Sequence, residues 1–215
     1  MFIRLFTWFV KITGVIPFFF MYRTKYYFLD KKVQSRKIKG KAIVMPNHHS
    51  IFDFIEMLYA FPLRTQRCLM SEAVFSQNKL LTFFLNCLGG IKVDRQSKDF
   101  SFINKSVSIL DKNGVIEIYP ESRLALPGEE KPLEFKPSVV KIALESGAPI
   151  IPVYHTGKMA KRERNRIMIG TPIMACDLYD ENLSEQENLQ NIANILREKV
   201  LELKDELNKR TSKEK

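Results

Sequence analysis

Six apolar runs of strand length, Ala42 to Met45, Cys68 to Met70, Ile91 to Val93, Val115 to Tyr119, Ile150 to Tyr154 and Ile167 to Ile169, are mostly separated by helical patterns. A chain that alternates in this way covers a sheet with its own helices. The pattern predicts an α/β fold, a single domain with a central mixed sheet flanked by helices. Helices are expected at Ile51 to Ala60, Ser76 to Cys87, Phe100 to Lys112, Val139 to Ser146 and Ser184 to Asn208. In the last of these, Leu189, Ile192, Leu196, Val200, Leu203 and Leu207 recur at spacings of three and four, and Ser184 with Glu187 has the form of a capping box. The tail from Thr211 is expected to fray. With 45% hydrophobic and 27% charged side chains, the composition excludes a disordered chain. A single core then accounts for residues 42–210.

The formal charge of +10 is unevenly placed, because residues 1–41 hold ten Lys/Arg against Asp30 alone. The rest is close to neutral, so the chain does not read as a nucleic-acid binder. Residues 1–28 are dense in aromatics, yet Arg4 and Lys11 interrupt the apolar sequence and the longest uncharged run, Ile12 to Tyr22, has 11 residues. A spanning helix needs about 20 apolar residues. No small-residue cleavage site follows, which argues against a secretory signal. The expectation is a helical anchor over 1–28 lying on the membrane surface, built of two short pieces meeting near Gly14 to Pro17, with cations turned to headgroups. A basic linker over 29–41 adds attraction to anionic lipid. Cys68, Cys87 and Cys176 form no CxxC pair, so neither a zinc knuckle nor a disulfide framework is signalled and a reducing compartment fits.

Two of the three histidines lie in Pro46-Asn47-His48-His49-Ser50-Ile51-Phe52-Asp53, between a predicted strand and a predicted helix. With Ser50 as cap, Asp53 falls in the first turn and can accept a hydrogen bond from His48. A carboxylate on one imidazole nitrogen fixes the tautomer and leaves the other nitrogen free to take a proton. The same residues are also compatible with a capping acid beside two loop histidines. Metal binding is not expected, since no further ligand lies nearby. His155 has no partner legible in the sequence. Lys158, Lys161, Arg162, Arg164 and Arg166 read as a solvated loop.

The run Asn47-His48-x4-Asp53 resembles the first motif of the glycerolipid acyltransferases, and three further blocks follow in that family's order. Gly90-Ile91-Lys92-Val93-Asp94-Arg95 is similar to the second and Tyr119-Pro120-Glu121-Ser122-Arg123 to the third. Phe135-Lys136 with Gly147 to Val153 is similar to the fourth. Only Ser122 separates Glu121 from Arg123, where the family has two residues; Pro137-Ser138 and Ser71 also depart from its pattern. The resemblance implies an O-acyltransferase that moves a fatty acyl group from a thioester to the sn-2 hydroxyl of lysophosphatidate, forming phosphatidate. In that reading His48 is the base and Asp53 its orienting acid. Glu121 holds the glycerol, Arg95 and Arg123 hold the phosphate with Lys92 nearby, and Gly90 lies in the second motif. No cofactor is implied beyond acyl-CoA or acyl carrier protein as co-substrate, and the place is the cytoplasmic face of the membrane.

Two alternatives stand beside it: the same chemistry on glycerol 3-phosphate or another lysophospholipid, and a non-catalytic membrane-binding protein. The chain has neither a G-x-S-x-G elbow nor a phosphate-binding G-x-x-x-x-G-K-[ST] loop. Cys68 and Cys87 lie in no block beside a histidine, so direct transfer in a ternary complex is expected rather than an acyl-enzyme.

Overall fold

The computed structural model describes residues 1–94, 100–126, 128–129, 132–158 and 164–213. Its elements, in chain order, are α1 (Phe2–Tyr22), β1 (Lys25–Phe28), β2 (Ala42–Pro46), α2 (Asp53–Ala60), β3 (Gln66–Ser71), α3 (Glu72–Phe75), α4 (Lys79–Cys87) and β4 (Ile91–Val93). Then come α5 (Ser101–Asp111), β5 (Val115–Glu117), α6 (Ser138–Ser146), β6 (Ile150–His155), β7 (Arg166–Ile169), a 3₁₀ turn (Ala175–Leu178) and α7 (Glu185–Ser212). The seven strands form one sheet in the order β1-β7-β6-β2-β5-β3-β4. All neighbours are parallel except β6 and β7, which makes the sheet mixed as expected.

Strand β2 sits between β5 and β6 and is buried along its whole length. Its side chains alternate between two cores. Ile43 and Met45 pack with α5, α6 and α7, through residues such as Leu110, Ile142, Ile192 and Leu196. Ala42 and Val44 pack with Met57, Ala60 and Phe61 at α2 on the other face. Burial on both faces explains why β2 is a continuous apolar run. Its carboxyl end, where the chain passes into the His48 loop, is where ligands bind in open α/β sheets. The capping box of α7 is present, and the helix continues to Ser212 because Thr211 is itself buried instead of fraying.

The N-terminal segment departs from expectation in three ways. Helix α1 is continuous from Phe2 to Tyr22, with Pro17 inside it rather than at a break. Pro17 is exposed at the edge of an apolar groove between α1, α2 and α4, outside the packed core, and lacking an N–H it forfeits one helix bond. The anchor reading also extended six residues too far: Lys25–Phe28 is an edge strand paired in parallel with β7, its alternation hidden among neighbouring aromatics. Lys11, expected at headgroups, is buried, and its ammonium donates to the carbonyls of Pro62 (3.1 Å) and Arg64 (2.6 Å). Burial lowers its pKa to about 8, against the raising influence of the Glu117 charge.

This helix wears its apolar residues outward. Thr7, Lys11, Phe18 and Tyr22 face the domain, whereas Phe2, Leu5, Phe9, Ile12, Ile16, Phe19 and Phe20 are exposed. Gly14 lies against Tyr59, whose hydroxyl donates to the carbonyls of Val10 (3.2 Å) and Lys11 (3.3 Å). A side chain at position 14 would occupy the place of that hydroxyl. Phe18 stacks on Tyr59 at 4.1 Å. By length and composition alone, α1 is long and apolar enough to cross a membrane, in contrast to the count of its uncharged run. In the linker, Arg36 donates to the carbonyls of Tyr59 and Ala60, and Lys41 to that of Ser146. Those cations tie the segment to the domain.

Candidate active site

Chain leaving β2 turns over itself to meet its own helix. One carboxylate oxygen of Asp53, Oδ2, accepts from the backbone amides of His49 (2.6 Å) and Ser50 (2.8 Å) and from Nδ1 of His48 (2.9 Å). The helix begins at Asp53 itself after Phe52, so Ser50 is not its cap; the acid organises the loop from inside the first turn. Burial alone would raise the Asp53 pKa. The bond from His48, the charge of His155 and the two amides outweigh it and hold the carboxyl below its ordinary range. The His48 side chain is 17% exposed against 2% for Asp53. Its ring lies 4.5 Å from that of Tyr119, and Nε2 has no hydrogen-bond partner among the described residues.

His48 lines a cleft of about 100 Å³ together with Phe54, Cys68, Met70, Tyr119 and Ser122. Phe54 also lines a larger groove of about 310 Å³, almost wholly apolar, between α1, α2 and α4, where Gly14, Pro17, Leu58 and Leu88 form the walls. The His48 cleft and the apolar groove therefore share a wall. Between them Glu117 is buried and hydrogen-bonded by the Tyr119 hydroxyl. Burial pushes its pKa up to about 8.

The other expected site residues divide. Glu121 is brought to the site but is buried, with Oε1 accepting from the His48 amide (2.7 Å) and Oε2 from the Leu133 amide (2.8 Å). Its geometry is that of a brace under His48, not of a group left open to hold glycerol. Arg123 is turned outward and forks onto Glu129 with two bonds of 2.7 Å. The shortened third motif explains this: Ser122 takes φ 62°, in the left-handed region that glycine favours, closes a turn onto Tyr119, and sends Arg123 away. Lys92 is exposed and paired with Glu72. Gly90 packs tightly, since a Cβ there would lie 3.1 Å from Phe75 and 3.2 Å from the Leu85 carbonyl, and it lines a small cavity with Phe54 and Glu117. Arg95, Lys161 and Arg162 lie outside the described residues.

Sequence reasoning missed the layer behind His48. His155, at the end of β6, is fully buried, with Nδ1 3.1 Å from Glu56 Oε2 and Nε2 donating to the Asn47 carbonyl at 2.8 Å. Its own backbone amide donates to Asn47 Oδ1 (2.8 Å), and Asn47 Nδ2 donates back to the His155 carbonyl (3.1 Å). Burial lowers the His155 pKa, but Glu56 and Asp53 outweigh it and raise it to about 9. The one available signal was the spacing of Asp53 and Glu56, three residues apart and so on one face of a helix. Asp53, Glu56 and His155 place ligand-type atoms within 4.8 Å of one another. The Asp53 oxygen nearest His155 already accepts from N–H donors, so the group reads as an ion cluster of two carboxylates around one imidazole.

A family model described as Acyltransferase matches residues 23–156, which contain every group named above at the His48 cleft. Compared with curated protein sequences, the chain matches none. Among solved structures it is similar to the 1-acyl-sn-glycerophosphate (LPA) acyltransferase PlsC from Thermotoga maritima, at 18% identity and a TM-score of 0.63, over 92% of this chain and 79% of that one. The likeness bears out the mixed α/β fold. With the family model spanning more than half of its length, the chain belongs to the acyltransferase family.

Proposed function

We propose that the protein transfers a fatty acyl group from a thioester, acyl-CoA or acyl carrier protein, to the sn-2 hydroxyl of lysophosphatidate, making phosphatidate. The observation that carries this reading is the His48–Asp53 pair at 2.9 Å, opening on a cleft that shares Phe54 with an apolar groove. His48 Nε2 takes the hydroxyl proton as the oxygen attacks the thioester carbonyl, and Asp53 stabilises the imidazolium that forms. The tetrahedral intermediate collapses, the C–S bond breaks, and the imidazolium returns its proton to the leaving thiolate. The apolar groove suits an acyl chain, since nearly all of its lining is hydrocarbon. The outward apolar row of α1 suits a monotopic seat on a membrane, on the cytoplasmic side where acyl thioesters are available.

One observation favours a second acceptor: Arg123 is engaged by Glu129, and the turn before it is one residue shorter than the family pattern. Glycerol 3-phosphate or another lysophospholipid would then replace lysophosphatidate with the same chemistry. The test is acyl transfer by the purified protein in detergent, with labelled palmitoyl-CoA or palmitoyl carrier protein and each acceptor in turn, beside His48→Ala. Phosphatidate from the wild type and not from the variant is the expected result. Product from another acceptor only would move the assignment to that acceptor, and no transfer from either donor would overturn the enzymatic reading.

A further inference from the structure

Behind the base stands a second carboxylate and imidazole that the chemistry just described does not use. We infer that His155, held by Glu56, is a positioning residue for acyl transfer: a buried imidazolium that fixes Asp53 and the Asn47–His48 backbone in the orientation the base requires. The inference rests on the reading of His48 as base.

The geometry supplies each link. His155 Nε2 lies 3.7 Å from the Asp53 oxygen that bonds His48, so one carboxylate stands between two imidazoles. The same nitrogen donates to the carbonyl of Asn47, the residue immediately before His48, and two further bonds join the Asn47 side chain to the His155 backbone. Glu56 is held in turn by Asn165, whose Nδ2 donates to Oε2 at 2.8 Å. The charged and titratable groups facing the ring are Glu56 and Asp53 from α2, the nearby His49 ring at 5.1 Å, and Glu117 from β5, with Tyr22 of α1 beside the two α2 carboxylates. Stability alone does not call for such a cluster, because buried ion pairs can often be replaced by apolar groups of similar volume without loss. Placed against the acid of the catalytic pair, it has a second use. A cation there keeps Asp53 ionised against the burial that would protonate it, which holds the acceptor of the His48 bond in its charged form.

The experiment is the pH dependence of kcat and KM for His155→Gln, measured beside the wild type and His48→Ala. Glutamine can still donate toward the Asn47 carbonyl but carries no charge. The expected result is a loss of about tenfold in kcat with KM for donor and acceptor nearly unchanged, and an acidic limb of kcat/KM moved up by about one pH unit. An inactive His48→Ala with a His155→Gln variant identical to wild type in kcat and pH profile overturns this inference alone. An active His48→Ala overturns the base reading and this inference with it. Where His155→Gln does not fold, the imidazole ¹⁵N shifts of the wild-type protein decide: both nitrogens of His155 protonated up to pH 8 is the expected state, and a neutral ring at pH 7 overturns it.

Discussion

Helix α2 carries two carboxylates one turn apart, and each meets an imidazole: Asp53 meets His48 at 2.9 Å, and Glu56 meets His155 at 3.1 Å. The chemistry is the same and the surroundings differ. The first imidazole opens to a cleft with one nitrogen unclaimed among the described residues, whereas the second is sealed, with Nε2 committed to the Asn47 carbonyl and Nδ1 at ion-pair distance from Glu56. An imidazole that can exchange protons with a substrate is a base; one that cannot is a fixed cation. Access, not residue type, separates a reacting pair from a supporting one.

The largest expected effects break the comparison directly. His48→Ala should lower turnover by about 10²- to 10⁴-fold, the usual worth of a general base, while thermal unfolding stays near that of the wild type. His155→Leu should do the reverse in kind, costing about 3 to 5 kcal/mol of stability because it leaves a buried carboxylate without its counter-charge. Equal loss of stability in both variants, read by denaturant melts, would erase the distinction.

Sealed groups should also set the pH profile of stability. Glu117 is raised from 4.5 to about 8, so its burial costs nothing below pH 4.5 and progressively more as pH rises toward 8. His155 is raised from 6.5 to about 9, so its stabilisation is complete below pH 6.5 and is lost as pH rises through 9. Stability should therefore fall from mildly acidic pH toward pH 9. Glu117→Gln, which still accepts from Tyr119, should raise the melting temperature most at pH 8 and little at pH 4.5. A uniform shift at both pH values would show that its charge is not what matters.

Surface features should behave as open ones do, affecting binding and leaving the fold alone. Replacing Phe9, Ile16 and Phe20 together by Asn should greatly weaken co-sedimentation with anionic vesicles at nearly unchanged melting temperature, because all three are exposed. Deletion of the segment is the poorer test, since Lys11 and β1 are parts of the domain. The smallest expected effect is at the outer ion pair. Arg123→Ala should leave the acceptor KM and kcat nearly unchanged, because Glu129 holds the guanidinium away from the cleft, whereas Glu129→Gln, which frees it, should lower the KM of a phosphate-bearing acceptor. No change in the Glu129 variant would place the phosphate on other cations.

Local pattern made much of this legible. Six of the seven strands and the five longer helices after the N-terminus were readable because period two and period 3.6 depend only on which side chains must be buried. His48 with Asp53 was readable because both sit within one loop and the first turn of the helix after it. At Lys11 the N-terminal helix departs from its sequence pattern because whether a buried ammonium is tolerated depends on what packs there, and its partners lie some 50 positions away, as in the 53-residue separation between Lys11 and Arg64.

What the sequence determined by itself was therefore the layering of the sheet, the pairing of His48 with Asp53, and an aromatic, basic N-terminus. Tertiary structure alone decided the rest. It joined His155 to Asp53 and Asn47 across more than a hundred residues, set the Glu121 carboxylate between the His48 and Leu133 amides, and sent Arg123 to Glu129. It also set the apolar face of α1 outward. Burial and long-range pairing fix which charges are neutralised and which nitrogens stay open, and no local period along a chain encodes either.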